Sequence, residues 1–134
     1  MPRTVTLAAT FPASPERLYS MFLDPSEHTA FSGAPVKIAP NAGAEFSAFE
    51  GSLSGTVLQV VPNRLIVMSW RSVNFPNEAV DSTLVLLFVD DPAGGRIELT
   101  HVNVPEEDYA GVSHGWEKYY WTPWRLYLEG HPDG

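Results

Sequence analysis

Apolar positions near the carboxyl end of the chain recur at intervals of three and four residues over residues 109–130. This spacing is the period of one helical face, so the segment predicts a helix. The face is aromatic rather than aliphatic, because it carries Trp116, Tyr119, Tyr120 and Tyr127. The rest of the chain is expected to be organised around this helix.

Two residues define the expected shape of the helix. Gly130 follows the last apolar position and predicts the end of the helix. Pro123 lies inside the pattern, where a proline removes a backbone hydrogen bond and kinks a helix. We therefore predict a bent helix, whose aromatic face is interpreted mainly as core packing. The alternative is that part of the face lines a groove, since Tyr and Trp bring polar groups that a pure core does not need.

The amino-terminal segment predicts one strand followed by two short helices. Apolar and polar residues alternate over residues 4–9, which is typical of a half-buried strand. Ser14 and Pro15 form a capping residue and a first-turn proline, and Asp24 repeats this arrangement ten residues later. The second helix must be short, because a breaker segment follows at residues 32–35.

From residue 35 onward the pattern changes to short alternating segments between turns. The predicted strands are residues 36–38, 45–49, 53–61, 65–71, 81–89 and 96–104. Gly55 lies inside one of them and indicates a bulge or a close backbone approach. The short turns permit antiparallel pairing and exclude parallel pairing. One face of such a sheet must be covered, and only the last helix is long enough to cover it. The prediction is an α+β fold: a curved antiparallel sheet of about six to seven strands around a long C-terminal helix.

Composition narrows the classes of function. A chain of 134 residues with 44% apolar residues is expected to form a single domain over residues 1–134. Sixteen acidic residues against eight Lys and Arg give a net charge of −8, which argues against nucleic-acid binding and against anionic membrane surfaces. The absence of cysteine excludes disulfides and thiolate metal sites and fits a cytoplasmic protein. No signal peptide and no membrane span are expected.

Five motifs, taken in order, carry a resemblance to a known family. They are residues 11–19, 30–35, 51–55, 61–71 and 115–120. This ordered set, extending over about residues 5–128, resembles the C-terminal domain of the activator of the heat-shock protein 90 ATPase. That family is a branch of the START-like, or SRPBCC, superfamily. The resemblance implies the helix-grip (Bet v-like) fold, with two short helices after the first strand.

The resemblance also implies candidate functions. The wider superfamily mostly binds hydrophobic small molecules between the sheet and the long helix, and a few members are cyclases or hydrolases. The eukaryotic activator uses a separate N-terminal domain for much of its ATPase stimulation, and this chain has no room for it. We therefore expect a non-enzymatic protein that binds a hydrophobic small molecule. The alternative is a stress-response co-chaperone that binds a heat-shock protein 90 homologue and modulates its ATPase.

The expected cavity lies between the inward face of the sheet and the last helix. By strand parity and helical spacing, its walls are Phe46, Trp70, Leu84, Leu86, Phe88, Leu99, His101, Trp116, Tyr120 and Tyr127. Ligand cavities of this kind are largely apolar with a few placed polar groups. Ordinary core packing is the competing interpretation for each residue, and the favoured one for the aliphatic residues.

His101 is the exception among these residues, because it can ionise near neutral pH. We favour a hydrogen-bonded core histidine; the alternatives are a ligand contact or the general base of a cyclase-type or hydrolase-type enzyme. Asn103 is expected beside it at the mouth of the cavity. The sequence holds no metal-ligand spacing among its histidines, no nucleophile elbow and no phosphate-binding loop, so neither a metal nor a cofactor is expected.

Overall fold

Residues 2–131 are described by a computed structural model, in which seven strands form one sheet. The strands are β1 Arg3–Phe11, β2 Val36–Lys37, β3 Glu45–Ala48, β4 Leu53–Val61, β5 Leu65–Ser72, β6 Ser82–Asp91 and β7 Gly94–Val104. Their order across the sheet is β1-β7-β6-β5-β4-β3-β2, and every neighbouring pair is antiparallel. Consecutive strands from β2 to β7 are therefore neighbours, as short turns require.

The helices lie where the sequence predicts them. Two short helices lie between the first and second strands, and one continuous helical segment follows the last strand. They are α1 Pro15–Leu23, α2 Pro25–Ser32, a 3₁₀ turn Glu106–Asp108, α3 Tyr109–Gly115, a π-helical turn Trp116–Trp121 and α4 Thr122–Gly130. The last four follow one another without a break and are called here the C-terminal helical run, residues 106–130. The predicted α+β helix-grip architecture is confirmed.

Both predicted amino-terminal caps are present. The Ser14 hydroxyl accepts a hydrogen bond from the backbone N–H of Arg17 at 3.2 Å. The Asp24 carboxylate accepts from the backbone N–H groups of Ser26 at 2.8 Å and Glu27 at 3.3 Å. These contacts satisfy donors that the first turn of each helix leaves without intrahelical partners.

The irregularity predicted at Pro123 takes the form of the π-helical turn directly before α4. The Thr122 N–H bonds to the carbonyl of Glu117, five residues earlier rather than four. In an α-helical turn the proline ring would clash with the carbonyl four residues earlier. The wider π-helical turn takes the place of that α-helical turn. The widened turn also brings more than one stripe of aromatic residues inward, since Trp116, Tyr120, Trp121 and Trp124 are all buried.

Gly55 resolves the two alternatives that the sequence leaves open. The register irregularity between β4 and β5 lies at Val57 and Gln59, so Gly55 is not the bulge. Instead, Gly55 lies opposite Trp70, and a Cβ atom placed on it would overlap the Ser69 carbonyl oxygen. The glycine is therefore a point of close backbone approach between the strands.

The core lies on the inner face of the sheet, where the helices cover it. Tyr19 of α1 packs edge-on against Phe88 of β6, with ring centroids 5.7 Å apart. Phe31 of α2 stacks on Trp124 of α4 at 4.2 Å with nearly parallel planes. Within residues 2–131, the helices are all too short or too polar to cross a bilayer.

Candidate functional site

A cavity of about 540 Å³ opens between the C-terminal helical run and one end of the sheet; it is called here the groove. Its sheet side is lined by Phe49, Ser52, Leu53, Trp70, Ser72, Val73 and Asn74. Its helix side is lined by Asp108, Gly111, Val112, Gly115, Trp116, Tyr119 and Tyr120. The groove is thus formed by the turn before β4, the end of β5 and a single face of the helical run.

Two glycines leave the helix side of the groove without side chains at two positions. Gly111 and Gly115 are four residues apart, so they lie one above the other on the same helical face. A Cβ atom on Gly115 would meet only the Tyr119 ring, at 3.7 Å. On Gly111 it would come within 2.7 Å of the Asp108 carboxylate, which therefore leans along the helix over this position. Space that side chains would otherwise occupy is left open to the groove.

Five aromatic rings form a continuous series around the groove. Phe49 meets Tyr119 at 5.7 Å and Tyr120 at 6.1 Å, both edge-on. Tyr120 packs against Trp116 at 4.8 Å, and Trp116 lies 6.2 Å from Trp70. Such contacts favour defined ring orientations beyond simple burial of area.

A chain of hydrogen bonds fixes one end of this series. The Ser82 hydroxyl donates to the carbonyl of Trp70 at 2.6 Å, so its oxygen is left to accept from the Nε2–H of His101 at 2.8 Å. The Nδ1 atom of His101 then accepts from the indole N–H of Trp116 at 3.3 Å. This set of donors requires a neutral imidazole protonated on Nε2. Burial lowers the pKa of His101 to about 3, which agrees with the neutral form.

These contacts favour the core-histidine interpretation of His101. Its side chain is fully buried behind Trp116, and both ring nitrogens are occupied. A general base needs a free nitrogen and a pKa near the working pH, and this arrangement provides neither. Asn103 donates instead to the carbonyl of Asp81 at 3.3 Å and is not part of the groove wall.

A second buried histidine fixes the other part of the helix wall, and sequence reasoning missed it. His28 of α2 is fully buried; its Nδ1–H donates to the carbonyl of Phe22 at 2.8 Å. Its Nε2 accepts from the Tyr120 hydroxyl at 3.0 Å. Burial lowers the pKa of His28 to about 4 and raises that of Tyr120. The sequence carried one sign that His28 is buried: it precedes the apolar Phe31 by three residues and therefore shares its helical face.

The two histidines together hold the π-helical turn. Trp116 and Tyr120 are four residues apart, and each donates one hydrogen bond to a neutral imidazole from a different element. Buried polar groups that are fully paired in this way specify one arrangement of their surroundings. The aromatic wall of the groove is therefore held in one defined position.

Three of the ten residues expected in the cavity line the groove: Trp70, Trp116 and Tyr120. Five others lie in the packed core: Phe46, Leu84, Leu86, Phe88 and Leu99. His101 lies behind Trp116, and Tyr127 is half-buried on α4 with its ring stacked on His131 at 4.2 Å. Strand parity identifies the inward face, but α1 packs on β6 and β7 there, and the groove opens at one end of that face. Phe49 and Asp108 were missed because turns and helix starts carry no parity signal. Tyr119 was placed on the aromatic face of the helix but was not counted among the cavity residues.

Metal binding finds no support in the described part of the chain. No group of three or more His, Asp or Glu side chains within residues 2–131 is placed to hold a metal ion. The groove instead offers aromatic faces, small polar groups and one carboxylate.

Comparison with solved structures identifies the fold. An HSP90 activator from Plasmodium falciparum superposes with a TM-score of 0.83 at 24% identity, covering 94% of this chain and 96% of that one. The Aha1 dimer from Colwellia psychrerythraea gives a TM-score of 0.73 at 16% identity, covering 87% and 90%. At these identities the likeness concerns the fold alone.

Comparison of sequences identifies the family. The human activator of 90 kDa heat shock protein ATPase homolog 1 is 32% identical over 116 residues, which are 87% of this chain and 34% of the human protein. The chain thus spans about a third of the length of this curated relative. The family described as "Activator of Hsp90 ATPase homolog 1-like protein" matches residues 12–128. The chain belongs to this family.

Proposed function

We propose that this chain binds a heat-shock protein 90 homologue and modulates its ATPase. The observation that carries the proposal is the family match over residues 12–128, together with 32% identity to a human protein named for that activity. The matched region contains every residue that lines the groove. Because the similarity covers only a third of the human protein, we expect a smaller stimulation than a full-length activator gives.

Exposed apolar side chains beside the groove are consistent with a protein partner. Val73 is 70% exposed and Tyr119 is 49% exposed, and both line the groove at its rim. Other exposed apolar side chains, such as Leu126 at 62% and Val80 at 70%, do not line the groove. Apolar side chains that gather on a surface favour interaction with another protein, whereas scattered ones need no explanation.

The test is an ATPase titration with purified heat-shock protein 90 homologues of human and bacterial origin. We expect the ATPase rate to rise with the concentration of the chain and to saturate, with a complex visible by sedimentation. A background measured with an inhibitor of the chaperone's ATP site removes contaminating hydrolysis, and an unrelated protein of similar size and charge controls for acidity. An unchanged rate and no complex up to about 100 μM, where binding of about −5 kcal/mol is detectable, would refute the proposal.

A second candidate function is the binding of a small apolar molecule in the groove. Its volume of about 540 Å³ falls within the range of small-molecule pockets, about 300–1,000 Å³. Its aromatic wall is held in place by His28 and His101, so little ordering is required on binding. The two candidate functions use overlapping residues and are tested independently.

Filling the groove tests the second candidate. Gly115→Leu adds a side chain where only the Tyr119 ring is near, so we expect the fold to persist and the groove to be blocked. In wild type, a neutral lipophile should shift the indole N–H signals of Trp70 and Trp116 in nuclear magnetic resonance spectra, and in Gly115→Leu the shifts should vanish. Gly130→Leu is the matched control, since open space surrounds Gly130 and it lies outside the groove. Equal binding by wild type and Gly115→Leu would contradict the proposal.

A further inference from the structure

We propose that the groove takes a small organic cation, an alkylated ammonium group with apolar substituents. The inference rests on the second candidate function above and names the class of ligand for the same site. Two observations support it. Asp108 is the one carboxylate in a wall that otherwise consists of aromatic and small side chains, and no cationic side chain lines that wall.

The Asp108 carboxylate is partly buried beside the groove and has no side-chain partner in the described part of the chain. No ion pair among residues 2–131 includes it. It stands at the position before α3 where an aspartate usually caps a helix, yet its side chain makes no capping hydrogen bond. The carboxylate leans over Gly111 into the groove wall, and burial raises its pKa. A partly desolvated carboxylate without a partner favours a ligand that brings a positive charge.

The aromatic rings supply the second component of a cation site. Trp and Tyr faces attract cations through the negative potential above the ring, and they recognise quaternary ammonium groups in this way. Lys118 already places its ammonium 5.2 Å from the centroid of Tyr119, although Lys118 is not a lining residue of the groove. The net charge of −8 further favours the approach of a cation over that of an anion.

The dimensions favour a small molecule over a lysine or arginine of a protein partner. A volume of about 540 Å³ between a turn, a strand end and a helix is that of a drug-sized ligand. A strongly hydrated ammonium loses more hydration on entering an aromatic wall than an alkylated one does, so alkyl substituents favour binding. We therefore assign the groove to an alkylated amine rather than to a protein side chain.

The test compares choline with 3,3-dimethylbutan-1-ol, which has nearly the same shape without the charge. Binding is followed by the indole N–H signals of Trp70 and Trp116. We expect choline to bind at least about fivefold more tightly than the alcohol, the scale of a cation–π contact with a partly buried carboxylate. Asp108→Asn should remove most of this preference, so that choline and the alcohol bind with similar affinities.

Glu107→Gln is the matched control, because Glu107 is an exposed neighbour in the same turn and does not line the groove. It should retain the preference for choline within about twofold, as expected for an exposed and screened charge. Equal affinities for choline and the alcohol, no response to either, or a preference that survives Asp108→Asn would each overturn the inference. The neutral-lipophile titration with Gly115→Leu reports separately whether the groove binds ligands at all.

Discussion

Gly55→Ala is expected to lower the free energy of unfolding by more than about 4 kcal/mol, which is a large share of the stability of a domain of this size. The added Cβ atom would overlap the carbonyl oxygen of Ser69 and come within 2.8 Å of its carbonyl carbon. Both are backbone atoms of the neighbouring strand, so no side-chain rotation relieves the overlap. Strands β4 and β5 must separate at this point, which costs ladder hydrogen bonds and displaces Trp70.

Urea unfolding followed by far-ultraviolet circular dichroism and tryptophan fluorescence measures this loss. Ser54→Ala is the control, because Ser54 is the exposed neighbour on the same strand, and its replacement should change stability by less than about 0.5 kcal/mol. An ordinary substitution changes the free energy of unfolding by on the order of 1 kcal/mol. A loss no larger than that for Gly55→Ala would show that the strands are free to move apart.

Gly55 also shows which features of the fold can be predicted from the sequence and which cannot. A glycine inside an alternating segment indicates either a bulge or a close approach, and the two differ only in the position of the partner strand. Most strands and both capped helices were predicted correctly, because alternation and capping are local signals. The last hairpin is tighter than expected: β6 extends to Asp91 and β7 begins at Gly94, whereas the predicted loop covered residues 90–95. Tertiary pairing extended both strands beyond their apolar pattern.

The groove was less predictable, since it depends on contacts between residues far apart in the chain. Tyr120 and His28 are separated by 92 residues, and nothing near either one in the sequence reports the hydrogen bond between them. His101 was singled out because it shares a face with apolar residues, but only the structure shows that Ser82 and Trp116 occupy its two nitrogens. The aromatic face of the last helix could therefore be predicted from the sequence, whereas the position of the groove could not.

Lowering the pH from 7 to 4 is expected to remove about 6 kcal/mol of stability through His28 and His101 alone. Burial lowers the pKa of His28 to about 4 and that of His101 to about 3, whereas in the unfolded chain both titrate near 6.5. The contribution of the two neutral rings to the free energy of unfolding is fully present above pH 6.5. It is lost as the pH falls from 6.5 towards 4 for His28 and towards 3 for His101. In that window the unfolded state binds protons that the folded state excludes. Each histidine contributes a slope of about 1.4 kcal/mol per pH unit.

Variants with glutamine separate the two histidines. Glutamine offers a donor and an acceptor but does not titrate, so His28→Gln and His101→Gln should each reduce the slope by about 1.4 kcal/mol per pH unit. Each should also lose about 1–3 kcal/mol at pH 7 from imperfect hydrogen bonds. Urea unfolding at intervals from pH 7 to 4.5 gives the slope, and His114→Gln, at an exposed side chain, controls for the loss of a histidine as such.

In the folded chain the two rings take up a proton only as the pH falls towards 4 for His28 and 3 for His101, and the hydrogen bonds of the groove wall change at that point. An imidazolium at position 101 presents an N–H to the indole N–H of Trp116, which cannot accept it, whereas one at position 28 presents an N–H that the Tyr120 hydroxyl oxygen can accept. The π-helical turn then loses the hydrogen bond of Trp116, so the indole signal of Trp116 should move as the pH approaches 3 while that of Trp124, held by Phe31 and Met21, stays in place. A slope that neither glutamine variant alters would show that carboxylates, rather than these two histidines, govern the acid stability of the fold.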